Sequence, residues 1–458
     1  MIENDAFKLL LINLFHLNPD DIANIFCTTF NKMMVLLVTL ADKHQACPYC
    51  GFTAPKIKEY VTKEITHSAL TTQKCIIKYR ARRYKCPCCG KTYYEFNPFV
   101  FKSQKISILT VHNILKDLKD FNETFTSVAR RYHVSPTSVS TIFDNHVDIG
   151  RNPLPEIINF DEVYAFKSEK SKYVCVLLDF KKQIPVDVLP NRKKEYLLNY
   201  FQKIPLEERK KVKYACSDMY EVYRDVVHKV FPCSCMLLDY FHLSQDFHRK
   251  MNEVRIKVMK GYKDDKASDE YYLLKKFNWL LFKNPEDEDK YGRLFDVERE
   301  RKYNSHFKSY MNYYDLRKKI LEINNDLTIC YSLKLELVDF YSKSTIDNAQ
   351  VNLEHLIRSC IDTNIEEMIA FSNNLINWKQ EIINSFTIVG TEYKVEADKG
   401  QVVVCNKKVN NAIIENRNKI IKCIKNNANG YTNWSRFRNR VMYVLDPNTT
   451  FSLEPREK

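Results

Sequence analysis

Two carboxylates close strand-like apolar runs in this chain, and that placement constrains the fold more than any other feature. Asp161 follows Ile157-Ile158-Asn159-Phe160, and Asp218 follows Val212-Lys213-Tyr214-Ala215-Cys216-Ser217. Strand ends deliver side chains to one rim of a sheet, so the two acids can converge although they are far apart in sequence. A third acid, Glu415, stands much further on, in a basic helical stretch. The chain has 71 Lys and Arg against 57 Asp and Glu, a formal charge of +14 that favours a polyanionic partner. Taken singly, each acid reads as a surface salt bridge. As a set inside a basic chain, they suit Mg²⁺ or Mn²⁺ held for chemistry on phosphates.

The 458 residues suggest about three domains, and a hydrophobic share of 45% is ample for packed cores. Short β-rich runs at 157–163, 173–180, 184–189 and 212–217 interleave with helical stretches near 192–203 and 220–230. That order predicts a multidomain α/β protein built on a mixed sheet of the ribonuclease-H type. From about 240 to 385 the pattern is overwhelmingly helical. The expected division is an N-terminal region with a zinc-binding domain over 1–100 and a helix-turn-helix over 101–150. The first part of the catalytic domain follows over 151–260, a helical insertion over 261–395, and the part carrying Glu415 over 396–458. Met33 to Leu40 reads as a buried strand or a helix end. No run approaches the roughly 18–20 apolar residues of a membrane helix. The start of the chain lacks a signal-peptide pattern, so the expectation is a cytoplasmic protein that does not engage a membrane.

Cys47-Pro48-Tyr49-Cys50-Gly51 and Cys86-Pro87-Cys88-Cys89-Gly90 form a pair of CxxC knuckles. Each turns two thiolates toward one ion, so Cys47, Cys50, Cys86 and Cys89 predict a closed, structural Zn²⁺ site. Cys88 lacks the two-residue spacing. Lys78, Arg80, Arg82, Arg83 and Lys85 precede the second knuckle and face either DNA phosphates or solvent. Downstream, residues 125–143 fit two helices around a short turn, with Ser135 as N-cap and Pro136 at the first helical position. Val128, Ala129 and Tyr132 would face Val139, Ile142 and Phe143. A DNA-binding pair would carry Arg130 and Arg131, and would present Thr137, Ser138 and Thr141 to a major groove. The alternative is a generic helical hairpin.

Around Glu415, Val409, Ile413, Ile420 and Ile424 mark a core face, with Lys408, Asn411, Asn418, Lys419 and Lys422 on Glu415's side. Gly430 to Arg440 interleaves aromatics with Arg436, Arg438 and Arg440. Trp434 and Phe437 are expected to pack, and some of the arginines to meet phosphate.

Together these segments resemble a bacterial DDE insertion-sequence transposase of the ISL3 type. The matching residues are Asn159-Phe160-Asp161-Glu162, Ser217-Asp218-Met219-Tyr220, Asp239-Tyr240-Phe241-His242, the stretch from Glu415 to Lys422, and Gly430 to Arg440. The pattern runs from about 45 to 445, departing at Asn416, where a small residue is expected, and at Lys425-Asn426-Asn427. The resemblance implies that Asp161, Asp218 and Glu415 hold two divalent ions for DNA cleavage and strand transfer at terminal inverted repeats. Asp239 and His242 would support that site or contact DNA; otherwise Asp239 caps a helix and His242 is a satisfied core residue. The partners implied are double-stranded DNA, both element ends and target, and a second copy in a homodimer or higher oligomer. The competing readings are a DNA-binding regulator derived from such an enzyme, or a structure-selective nuclease that never joins strands.

Overall fold

Helix α1 (Ile2–Leu14) leads into strands β1 (Ile22–Phe30), β2 (Met33–Leu40), β3 (Lys56–Thr66), β4 (Cys75–Lys85) and β5 (Thr92–Tyr94). The computed structural model describes residues 2–43, 45–68, 72–101, 104–166, 171–395 and 402–456. Met33–Leu40 is a strand, joined to β1 through Asn31 and Lys32, whose φ angles of 49° and 61° make a two-residue turn. Both positive angles match the right-handed strand twist that such hairpins need. The sheet runs β1-β2-β4-β3, with β5 on β4. Leu11, Ile12 and Phe15 of the α1 region pack on its inner residues Leu36, Ile65 and Ile77.

Three helices follow: α2 (Ile108–Asp117), α3 (Phe125–Arg131) and α4 (Pro136–His146). Thr124 caps α3 in a reciprocal box with Ser127, and Ser135 caps α4 by accepting from the Ser138 amide. His133, at φ 53°, reverses the chain between them. Val128, Ala129, Tyr132, Val139, Ile142 and Phe143 share one core, as the sequence pattern predicts.

The central sheet comprises β6 (Ile157–Val163), β7 (Val174–Asp179), β8 (Pro185–Leu189), β9 (Tyr214–Ser217) and β10 (Cys235–Leu238), with α5 (Lys194–Gln202), α6 (Leu206–Arg209) and α7 (Glu221–Val230) between its strands. Its order is β10-β9-β6-β7-β8. The β6-β7 and β7-β8 pairs are antiparallel, whereas β9 and β10 join parallel to β6. Ile158, Phe160, Ala215 and Met236 face the α5 and α7 side chains Leu197, Phe201, Tyr223 and Val227.

A large helical body comes next: α8 (Tyr240–Lys260), α9 (Asp269–Lys276), α10 (Tyr313–Glu322), α11 (Asn325–Lys343), α12 (Ala349–Asp362), α13 (Glu366–Asn377) and α14 (Lys379–Asn384). Between α9 and α10 lie two small hairpins, β11 (Glu288–Asp289) with β12 (Gly292–Arg293) and β13 (Lys302–Asn304) with β14 (Ser309–Met311). This body has its own core around Phe247, Leu327, Leu353, Met368 and Phe371. The stretch 261–395 is therefore not wholly helical. It ends in β15 (Ile388–Val395), which pairs with β16 (Val402–Lys408) across the 395/396 boundary.

The chain then returns to the central sheet through α15 (Ala412–Asn427) and α16 (Trp434–Leu445). Ile414, Ile421, Phe437 and Val441 pack on Val163, Val174, Val176 and Val188, completing three layers. Trp434 and Phe437 pack against Phe166, as expected. The inward face of α15 is Ile414, Asn418, Ile421 and Ile424 rather than the Ile413–Ile420 face the apolar pattern suggests. Among the described residues, no helix is long and apolar enough to cross a membrane.

Candidate active site

Strand register brings three aspartates into one row. Asn159 of β6 sits opposite Cys216 of β9, and Leu238 of β10 sits opposite Ser217 of β9. Continuing those pairings sets Asp161, Asp218 and Asp239 level with one another. Asp161 lies within β6, paired with Val176, rather than at its end. Asp218 and Asp239 each directly follow a parallel strand, and there the chain turns into α7 and α8. Asp239 follows Met236-Leu237-Leu238 much as Asp218 follows its own run, a signal carried by a strand only four residues long.

Residues two apart on a strand share a face, and Asn159 and Asp161 both meet α15. Asn159 Nδ2 donates to Asn411 Oδ1 at 2.7 Å and to the Asn410 carbonyl at 2.8 Å. Asn418 Nδ2 donates to Asp161 Oδ2 at 2.7 Å. These buried amides explain why α15 presents a polar position inward, and they set its rotation above the sheet. Glu415, one turn before Asn418, accordingly points to the same rim. There His242, from the first turn of α8, places Nε2 3.8 Å from Asp239 Oδ2 and 3.9 Å from Glu415 Oε1. Ligand atoms of Asp239, His242 and Glu415 all lie within 4.8 Å of one another.

The electrostatics follow from crowding carboxylates away from water. Burial pushes the Asp161 carboxyl up to about 7, the Glu162 amide opposes the shift, and the charge of Asp218 adds to it. Asp218 and Asp239 are raised by burial too, with His242 opposing in both cases and Arg192 also opposing at Asp218. Arg192 is a site residue the sequence patterns do not flag. It ion-pairs with Glu162 and lies over the rings of Tyr173, at 4.6 Å, and Tyr220, at 4.8 Å. Glu162 also accepts from the Tyr223 hydroxyl at 3.1 Å, so it serves the opposite side of β6 from Asp161.

Asp218 Oδ1, Asp239 Oδ2 and His242 Nε2 are buried without a hydrogen-bond partner among the described residues. Asp239 leads α8, and the Asn411 and Phe241 amides hold its carboxyl down against the effect of burial. Orphaned buried acceptors are costly, and carboxylate oxygens beside one imidazole are a donor set that fits a divalent cation.

The knuckles form a second candidate metal site. Cys47 Sγ lies 3.7 Å from Cys89 Sγ, and Cys50 Sγ lies 3.5 Å from Cys86 Sγ. Gly51 and Gly90 take φ of 75° and 70°, and each donates its amide to the carbonyl of its knuckle's first cysteine at 2.9 Å. That left-handed turn folds each knuckle back on itself. Cys88 is exposed and outside the cluster.

The residues expected to meet DNA divide into two groups. Arg130, Thr137, Thr141, Lys419 and Lys422 are exposed. Ser138 is half-buried, its hydroxyl 2.8 Å from that of Ser135. Arg440 is corrected outright: it is 1% exposed and donates to the carbonyls of Asp120 and Glu123. Arg436 and Arg438 are likewise engaged internally, with Asp144 and Asp187. Arg131 pairs with Asp117 and Glu123, and Arg82 with Glu95. Arg83 pairs across strands with Glu59. Each of these arginines ties two elements together, which occupies the guanidinium that a phosphate would need.

Comparison with known proteins agrees with this architecture. The family model for ISL3-type DDE transposases matches residues 158–397, more than half of the chain, taking in Asp161, Asp218, Asp239 and His242 and stopping short of Glu415. The transposase for insertion sequence element IS1001 of Bordetella parapertussis is 19% identical over 409 residues, covering 89% of this chain and 90% of that protein. The chain belongs to the ISL3 family of DDE transposases.

Proposed function

We propose that this protein binds the terminal inverted repeats of an insertion sequence, cleaves the DNA there and joins the freed ends to a target. The observation that carries this reading is the carboxylate row, Asp161 beside Asp218, with Glu415 of α15 gathered beside Asp239 and His242 at the end of that row. The sheet order, three antiparallel strands continued by two parallel ones, supports a ribonuclease-H-like catalytic fold. Asp161, Asp218 and Glu415 would hold two divalent ions, Mg²⁺ or Mn²⁺. When bound, such ions activate water or a 3′-hydroxyl and offset charge on the leaving oxygen.

The protein's own residues prepare the site. Asn418 donates to Asp161 Oδ2 and the Glu162 amide to Oδ1, both at 2.7 Å, so the carboxylate is held in one orientation. Arg192, held between two rings and Glu162, supplies positive charge beside Asp218 where a phosphodiester would enter. Lys419 and Lys422 line the outward side of α15 and suit backbone contacts. The α3–α4 pair acts as a helix-turn-helix, with Thr137 and Thr141 one turn apart on its exposed edge. Zn²⁺ on Cys47, Cys50, Cys86 and Cys89 would hold the base of the first sheet rigid. Two ends must be brought together, so the working form is a dimer or larger assembly on DNA.

The test is cleavage of labelled DNA carrying the gene's own flanking ends. With Mg²⁺ or Mn²⁺ the protein should cut at the element boundary, and Asp218→Asn should lower the rate by about 10³-fold or more. Specific binding with no cut under any metal would replace this reading with a DNA-binding regulator.

A further inference from the structure

We infer that the metal centre includes a nitrogen ligand: Asp239, His242 and Glu415 form one cation subsite, with Asp161 and Asp218 beside it. This rests on the acidic row being the catalytic centre, and it adds two ligands to the three carboxylates already assigned there.

Spacing is the first argument. His242 Nε2 stands 3.8 Å from Asp239 Oδ2 and 3.9 Å from Glu415 Oε1. Those gaps exceed hydrogen-bond length. They match ligand atoms that share a third centre, because two atoms each about 2.1 Å from one ion stand about 3–4 Å apart. Burial is the second argument. Asp239 is only 3% exposed, and its Oδ2 has no hydrogen-bond partner among the described residues; neither does His242 Nε2. The Phe241 and Asn411 amides lie against the Asp239 carboxylate yet leave its Oδ2 without a partner, and a satisfied core histidine would not leave that nitrogen orphaned.

Chain geometry is the third argument. Asp239 and His242 are three apart at the start of α8, so one turn points both the same way, toward α15. An imidazole ligand also biases metal choice. Transition ions, Mn²⁺ among them, accept an imidazole more readily than Mg²⁺, which prefers oxygen alone. The subsite therefore selects Mn²⁺ over Mg²⁺, and the neighbouring Asp161–Asp218 subsite does not.

The full-length protein, carrying its zinc, can be titrated with Mn²⁺ in the absence of DNA and examined by pulsed electron paramagnetic resonance. The expected result is nitrogen coupling on bound Mn²⁺, lost in His242→Gln, with Mn²⁺ affinity weakened about tenfold or more. Glu415→Gln should weaken Mn²⁺ binding while keeping the nitrogen signal on what remains bound, and circular dichroism would verify that both variants fold. Bound Mn²⁺ without nitrogen coupling would overturn the inference, as would no Mn²⁺ binding at millimolar concentration. Because the readout needs no DNA, its failure is separate from failure to cleave.

Discussion

Asp161 carries the tension between stability and function in this molecule. Its carboxyl is buried beside Asp218 and held at about 7. Replacing it with Asn removes charge that the fold pays to confine. Without divalent ions, Asp161→Asn should raise the thermal midpoint by about 2–4 °C, measured by calorimetry, while abolishing cleavage. Asn418 acts through Asp161, so Asn418→Ala should slow cleavage by about 10–100-fold and leave the circular dichroism spectrum unchanged. The acids were legible in the sequence because each follows a short apolar run. Asn418 was legible only as a polar neighbour of Glu415, and Arg192 was not legible at all. A buried amide on a helix scores as solvent-facing until its partner across the sheet is known, and Arg192 is one cation among many.

At the scale of elements, four strands of the central sheet, helices α5 and α7, and the α3–α4 pair announced themselves through period and caps. Ser135-Pro136 marked the start of α4, and the 157–163 run matched β6. The small hairpins β11–β12 and β13–β14 did not, because strands of two or three mostly exposed residues lack an apolar face to reveal their period. The basic strand β4 has a related feature: its Lys78 and Arg83 pair with Glu64 and Glu59 on the neighbouring strand β3, a link that only the register discloses. In the helical body, Lys334 of α11 is buried, donates to the Lys283 carbonyl, and is pushed down to about 8 by burial. The fold then binds fewer protons than the unfolded chain between about pH 8 and the ordinary lysine value, so this group adds stability as pH rises through that window. Lys334→Met should be more stable than wild type by about 2 kcal/mol at pH 7. That advantage should shrink from pH 8 to 10 in paired thermal melts.

Across the whole molecule, α16 fastens the helical pair to the central sheet. Arg440 reaches the carbonyls of Asp120 and Glu123, Arg436 holds Asp144, and the Tyr443 hydroxyl donates to the Leu115 carbonyl at 2.9 Å. Arginines that resemble a DNA-contacting patch in sequence form the joint between the α2–α4 helices and the central sheet. Arg440→Leu should cost about 2–4 kcal/mol by stranding those carbonyls, and limited proteolysis should then release the first 150 residues sooner. A joint of that kind keeps α4 at a fixed distance from the acidic row, as cutting at a set place beside a bound sequence requires.

Joining is the step that separates this account from a simple nuclease. The decisive measurement supplies a pre-cut element end with a free 3′-hydroxyl, a supercoiled target plasmid and Mn²⁺, and follows covalent end-to-target product. Wild type should join the end, and Asp161→Asn and Asp218→Asn should not. Cleavage of intact ends without any joined product would contradict the account and leave a nuclease in its place.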